Sequence, residues 1–264
     1  MNFFTPKYSK YITLLLLGLI SNSLMASGQT SSEDWQSLYE PYFHQGIPYR
    51  IMKPLDFNSN ELYPIIISLH GAGGRGTDNQ RQLKIWNKQL AQEINRKRYP
   101  SYVIAPQSDT HWEIERFEWL KQIIEALPAV DSNRIYILGH SMGGHGTFLW
   151  TQHDSDYFAA AVASAGTGRT GRPEFIIPER IKNLPLWVLH GEKDKICPYK
   201  LAKKLLKDMQ EFGGKMKLTT WKNQGHNISH KIIPGDKKAI TVLASKHSDP
   251  EDDLLKWLFK QRKP

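Results

Sequence analysis

Gly139-His140-Ser141-Met142-Gly143 places a serine between glycines, directly after the apolar run Ile135-Tyr136-Ile137-Leu138 and directly before a stretch with helical spacing. Glycines around the serine allow a sharp strand-to-helix turn that projects its hydroxyl. The first N–H groups of the following helix are then left to meet a developing negative charge. A serine hydroxyl is a weak nucleophile near neutral pH and needs a base. His190-Gly191-Glu192-Lys193-Asp194 ends an apolar run at 186–189, and Gly225-His226 follows another at 217–221. His226 would take the proton of Ser141, and Asp194 would hold the imidazole tautomer and favour the imidazolium that forms. The chemistry expected of such a set is acyl transfer to water.

The acid and the base each have a competitor close by. Glu192 could stand in for Asp194, but Asp194 lies further into the turn after the strand. His230 could stand in for His226, but Gly225 marks the tight loop at His226. His226 and His230 also have the spacing of two metal ligands on one helical turn. No His-Glu-x-x-His and no cysteine cluster accompanies them, so no metal is expected. Cys197 is the only cysteine; it allows no intrachain disulfide and reads as a small buried filler.

His70-Gly71-Ala72-Gly73-Gly74-Arg75-Gly76 also ends an apolar run and admits two readings. Gly71, Gly73 and Gly76 satisfy the G-x-G-x-x-G of a dinucleotide site. That site wants an acid at the end of the next strand, where this chain has Ala105-Pro106-Gln107. The other reading is a loop whose backbone N–H, at Ala72, joins that of Met142 in holding an oxyanion. This second reading fits the serine turn and requires no cofactor.

These loops need a frame that brings them together. Apolar runs at 49–52, 63–69, 102–105, 134–138, 159–164, 186–189 and 217–221 alternate with helical spacing at 82–96, 117–127, 142–152, 200–212 and 252–261. Consecutive apolar residues such as Ile65-Ile66-Ile67 suit strands buried on both faces. The alternation predicts an α/β fold, a doubly wound, mostly parallel sheet with helices on both faces, and ligands at the strand carboxyl ends. All four loops above fall at such ends. Trp86, Trp112 and the loop 166–172 are candidates for lining a substrate pocket, although a tryptophan is more often core.

The 264 residues include eight Trp, eleven Tyr and ten Phe, enough apolar area for a folded core, and no linker or repeat divides them. Lys and Arg outnumber Asp and Glu by 35 to 26, but the basic residues are scattered in short groups, so no nucleic-acid partner is expected. At the amino terminus, Lys7 and Lys10 precede a nine-residue apolar run at 12–20 and a small, polar stretch at 21–28. This predicts a signal peptide over 1–26, cleaved after Ala26 or Gly28, followed by one catalytic domain over 27–264. The run is short for a membrane span, so an exported protein with no stable anchor after cleavage is expected.

Taken together, these residues make the chain similar to exported α/β-hydrolases of the esterase, dienelactone-hydrolase and prolyl-oligopeptidase superfamily. It most resembles the feruloyl-esterase-like "predicted peptidase" branch, and also polyhydroxybutyrate depolymerases. The stretches that carry the resemblance are Tyr49-Arg50-Ile51-Met52-Lys53-Pro54, the segment from Tyr63 to Asn79, Ala105-Pro106-Gln107, Val130-Asp131-Ser132-Asn133-Arg134-Ile135-Tyr136 leading into 139–146, and Trp257-Leu258-Phe259. The segment 230–247 shows no clear family pattern. The resemblance implies Ser141, Asp194 and His226 as a triad, in agreement with the reading of the residues, and a small-molecule ester as substrate. By analogy this is an acylated carbohydrate or phenolic ester. A secreted serine peptidase and a non-catalytic basic binding protein on the same fold are the alternatives.

Overall fold

Every residue of Tyr63–Leu69 is buried, and its side chains divide between two cores: Ile65, Ile67 and Leu69 face one, Ile66 the other. That division is what a central strand with helices on both faces requires. In the computed structural model, which describes residues 34–168, 175–233, 236 and 238–264, this strand is β3 of a nine-stranded sheet. Residues 35–264 make up one compact unit. The signal peptide expected over 1–26 lies outside the described residues, as do positions 169–172 of the loop 166–172.

The strands are β1 (Glu40–His44), β2 (Ile47–Met52), β3 (Tyr63–Leu69), β4 (Tyr102–Pro106), β5 (Val130–His140), β6 (Ala160–Ser164), β7 (Leu186–Gly191), β8 (Met216–Trp221) and β9 (Ile240–Leu243), in the order β1-β2-β4-β3-β5-β6-β7-β8-β9. From β4 to β8 neighbouring strands are parallel, while β1, β2 and β9 are joined antiparallel at the two sides. The chain runs outward from β3 to β4 and then returns to the far side of β3 to form β5. This change of direction leaves a crevice at the carboxyl ends of β3 and β5, where α/β sheets place ligands. The mixed, mostly parallel sheet with helices on both faces matches the expected α/β-hydrolase architecture.

The helices are α1 (Ile85–Leu90), α2 (Glu93–Arg98), α3 (Ile114–Glu125), α4 (Met142–His153), α5 (Pro178–Ile181), α6 (Tyr199–Glu211) and α7 (Leu254–Lys260). Where one helix is expected over 82–96 there are two. Gln92 takes an extended conformation, and the Asn95 amide reaches back to the carbonyl of Gln89 at 2.7 Å. Strands β1 and β9 and the short α5 are additions to the sequence reading. Strand β1 contains Pro41 and is largely exposed, so it lacks a buried strand's apolar run; a proline is tolerated because the strand is at the sheet edge. It turns into β2 through Gln45-Gly46, both at positive φ, a two-residue hairpin. Among the described residues no helix is long and apolar enough to cross a membrane.

Candidate active site

Ser141 occupies the step between β5 and α4 with φ 56° and ψ −117°, a conformation that side chains seldom adopt. Two surroundings impose it. The N–H of Ser141 donates to the carbonyl of Ser164 on β6 at 2.8 Å, and α4 presses close to the sheet. A Cβ at Gly139 would lie 2.0 Å from the carbonyl oxygen of Gly143, and one at Gly143 would lie 2.1 Å from that of Leu69. Glycine is needed at both positions for the turn to close.

The Oγ of Ser141 lies 2.8 Å from Nε2 of His226, and Nδ1 of His226 lies 2.8 Å from Oδ2 of Asp194. A carboxylate only accepts, so Nδ1 carries the hydrogen, and Nε2 is left to accept from the serine hydroxyl. Asp194 follows β7 in a turn that donates the N–H groups of Ile196 and Cys197 to its Oδ1 at 2.8 and 2.9 Å. Burial alone would raise its pKa. Hydrogen bonds from His190, His226 and the Cys197 N–H outweigh that and hold the carboxyl well below the usual carboxylate range. The loop bearing His226 is pinned against this turn: Lys193 N–H donates to Gln224 O at 2.8 Å, and a Cβ at Gly191 would sit 2.1 Å from Gly225 O.

The competing residues lie elsewhere. Glu192 is exposed and accepts from the N–H of Asn223, and His230 is an exposed part of a 3-10 turn over Ser229–Lys231. Among the described residues, Asp194, Cys197 and His226 form the grouping whose ligand-type atoms fall within 4.8 Å of one another. Two of those atoms share a hydrogen bond, so a cation there would have to displace the proton on Nδ1.

The loop after β3 begins a 3-10 turn over Ala72–Gly74 and is held from beneath. His70 is fully buried; its Nε2 accepts from the N–H of Ser108 at 3.0 Å, so Nδ1 is the nitrogen that donates to Gly71 O at 2.7 Å. Burial pushes the His70 pKa down to about 4, which keeps the ring neutral. Gln107, at the end of β4, donates to Gly74 O at 3.1 Å and to Asp78 Oδ1 at 2.9 Å and accepts from the N–H of Asn79 at 2.6 Å. Met142 is the first residue of α4, so the helix itself makes no use of its N–H. Ala72, Met142 and Ser141 line one cleft of about 490 Å³.

Trp86, although almost fully buried, forms part of the wall of a second cleft, of about 540 Å³, with Ser141 and His226. Trp112 is different, and its assignment to the pocket is corrected. It lines neither cleft, is 2% exposed, donates from Nε1 to His70 O at 3.1 Å and packs under Gly146. It supports the Gly-rich loop from below, and the absence of a side chain at Gly146 lets its ring lie against α4. Three histidines beyond His226 escape the sequence reading: His70, His140 and His190. His140 was visible only as the variable residue before the serine; its Nδ1 lies 3.0 Å from Ser164 Oγ, and its ring centroid lies 5.1 Å from that of His226. The sequence signal for His70 and His190 was that each directly precedes a glycine at the end of an apolar run.

The chain is also similar to known proteins. Residues 78–245 match the family described as the dienelactone hydrolase family. An uncharacterized peptidase of Bacillus subtilis (strain 168) is 24% identical over 236 residues, covering 74% of this chain and 36% of its own length. A bifunctional acetylxylan esterase/xylanase of Neocallimastix patriciarum is 25% identical over 157 residues, covering 56% of this chain and 22% of its own. The chain thus spans about a third or less of the curated relatives it matches. Among solved structures, a thermostable esterase is 30% identical with a TM-score of 0.65, and the match covers 85% of this chain and 62% of that one.

Proposed function

The chain belongs to the dienelactone hydrolase family, an enzyme of the serine-hydrolase type, and on that premise we propose that it is a carboxylic-ester hydrolase working through an acyl-enzyme on Ser141. The observation that carries the reading is the continuous hydrogen-bond chain from Ser141 Oγ through His226 to Asp194. In this mechanism Ser141 Oγ attacks the ester carbonyl carbon as its proton passes to His226 Nε2. The N–H groups of Ala72 and Met142 hold the oxyanion, and Asp194 stabilises the imidazolium. The bond to the alcohol oxygen then breaks as His226 returns the proton to it. Water repeats the sequence on the acyl-enzyme, releasing the acid and restoring the serine.

The substrate we assign is an acylated carbohydrate or a phenolic ester, a reading supported by the relative named as an acetylxylan esterase. Peptide hydrolysis is the second reading, favoured by the match to a bacterial peptidase over 74% of this chain. The deciding experiment measures hydrolysis of a nitrophenyl acyl ester series and of matched anilides, beside Ser141→Ala and a serine-directed phosphonate. Ester turnover that falls by about 10⁴ or more in Ser141→Ala, with labelling of the wild type alone, is the expected result. Faster cleavage of the anilides would replace ester by peptide as substrate; wild type that is inert and unlabelled would sink both readings.

A further inference from the structure

The thiol of Cys197 takes no part in the ester mechanism, yet Cys197 lines the same cleft as Ser141. Its sulfur joins one nitrogen of His226 and one oxygen of Asp194 in a group whose atoms all lie within 4.8 Å of one another. We propose that this group binds a thiophilic divalent cation, of the class of zinc or cadmium, through Cys197 Sγ, His226 Nδ1 and Asp194 Oδ2, and that the bound ion reversibly silences Ser141. The ion is an inhibitor and not a cofactor. Binding needs only the three side chains; silencing rests on the ester-hydrolase reading above.

The donor set selects the ion. A thiolate and an imidazole favour zinc and its softer relatives, whereas magnesium and calcium are held by oxygen ligands. Three protein ligands leave a fourth tetrahedral position for water. Bonds to zinc of about 2.3 Å from sulfur and about 2.0–2.2 Å from nitrogen and oxygen set the ligand atoms roughly 3.3–3.6 Å apart. Nδ1 and Oδ2, which lie 2.8 Å apart, must therefore separate by about 0.5 Å, a movement within reach of the torsions of the partly exposed His226 ring. Asp194 is already oriented for the role, because its Oδ1 accepts from the N–H groups of Ile196 and Cys197 at 2.8 and 2.9 Å while Oδ2 is turned to His226. Hydrogen bonds of this kind behind a ligand contribute roughly 10–100-fold to metal affinity.

Silencing follows from the tautomer of His226. In the metal-free site Nδ1 carries the ring hydrogen and donates it to Asp194, which leaves the lone pair of Nε2 for the serine hydroxyl. A cation on Nδ1 takes that nitrogen's lone pair, so the hydrogen of the neutral ring passes to Nε2. The Cys197 thiol gives its proton to solvent as its sulfur binds the ion. No electron is transferred, and one proton leaves for each ion bound. Nε2, 2.8 Å from Ser141 Oγ, then holds a hydrogen in place of a lone pair and cannot accept from the hydroxyl. Ser141 loses its base without being touched.

The test uses the full chain with Zn²⁺ for inhibition and Cd²⁺ for direct detection, beside Cys197→Ala, Cys197→Ser and Ser141→Ala. Each protein's rate is compared with its own rate in the presence of a chelator. At saturation Zn²⁺ should slow nitrophenyl ester hydrolysis and phosphonate labelling of the wild type by about 10²-fold or more, the scale of a lost general base, and the chelator should restore both. Mg²⁺ at the same concentration should do neither. Cd²⁺ should give a thiolate-to-cadmium charge-transfer band at one ion per chain in the wild type and equally in Ser141→Ala, which reports binding without any turnover. Both Cys197 variants should lack the band, and Cys197→Ala should need about 10²-fold more Zn²⁺ for the same inhibition. Cys197→Ser keeps a small polar side chain in place, so it separates loss of the ligand from loss of the fold. A wild type without the band, or Zn²⁺ inhibition equal in wild type and Cys197→Ala, overturns the site while chelated turnover leaves the hydrolase reading standing. A band without inhibition overturns the silencing. A band in a protein that neither hydrolyses any ester nor takes the phosphonate overturns the hydrolase reading, and silencing with it, while the cation site stands.

Discussion

Nε2 of His190 lies 3.4 Å from Oδ2 of Asp194, the same carboxylate oxygen that meets His226 at 2.8 Å. The tautomer of His190 is fixed, because Nε2 also lies 2.8 Å from the carbonyl of Cys197, which can only accept. Its hydrogen therefore faces both oxygens. Hydrogen bonds to a charged group contribute about 1.5–3 kcal/mol, and the longer contact here belongs at or below the low end. His190→Phe, which keeps a ring in this fully buried place, is expected to lower kcat about fivefold to tenfold with little change in KM. The Asp194 carboxyl loses a donor to its charged form, so its pKa should rise toward the ordinary carboxylate range. A kcat equal to wild type would assign His190 to packing alone.

The strained backbone at Ser141 makes a separate prediction about stability. A residue held in such a region costs on the order of 1–3 kcal/mol, and glycine avoids that cost at the expense of a more flexible unfolded chain. Ser141→Gly and Ser141→Ala both remove the hydroxyl and should be equally inactive. In urea unfolding, Ser141→Gly is expected to be the more stable of the two by about 1 kcal/mol. Equal midpoints would mean that the turn is not strained.

Gly191→Ala should damage the reaction without touching a reacting group. Its methyl would lie 2.1 Å from Gly225 O, so the loop that carries His226 must shift away from Ser141. A displacement of about 1 Å can cost about 10²-fold in rate. The expected result is that loss in kcat, with slowed but still complete phosphonate labelling; labelling at the wild-type rate would contradict it.

Acid should weaken the fold at two of the site's histidines. Burial lowers His70 to about 4, and burial, with the nearby charge of His226, lowers His140 to about 4. An unfolded histidine titrates near 6.5, so between about 6.5 and 4 the unfolded chain binds protons that the folded chain does not. The stabilisation is complete above this window and is lost as pH falls through it, by on the order of 3 kcal/mol per histidine. Unfolding free energies measured at pH 7, 5.5 and 4.5 should fall accordingly. His140→Gln should flatten the slope, and a slope equal to wild type would contradict the assignment.

Much of this was legible in the sequence because the signals were local. The strand Tyr63–Leu69 is bounded as its apolar run suggests, and α4 starts at Met142, directly after the glycine-flanked serine. Ser141, Asp194 and His226 could be chosen because each follows an apolar run at a turn, and the structure brings their side chains within 2.8 Å of one another in sequence along the chain of bonds. What escaped depends on contacts between distant segments. Trp112 resembles a pocket residue until its hydrogen bond to His70 O places it beneath the loop. His190 meets Asp194 only because β7 ends in a turn that folds back on itself, and β9 gains its place from pairing with β8, its residues being exposed. Periodicity reads burial, and an exposed edge strand has little to read.

Gln107 grips the loop after β3 at Gly74, Asp78 and Asn79, from the end of a neighbouring strand. A loop fastened at three points to the sheet has its geometry before any ligand arrives. On the proposed ester-hydrolase reading, capture of a substrate then need not be spent on assembling the place where charge gathers, and more of the encounter's free energy is left for lowering the barrier itself. The rigidity also has a cost in versatility: a substrate whose carbonyl cannot reach that fixed position finds no loop able to move toward it.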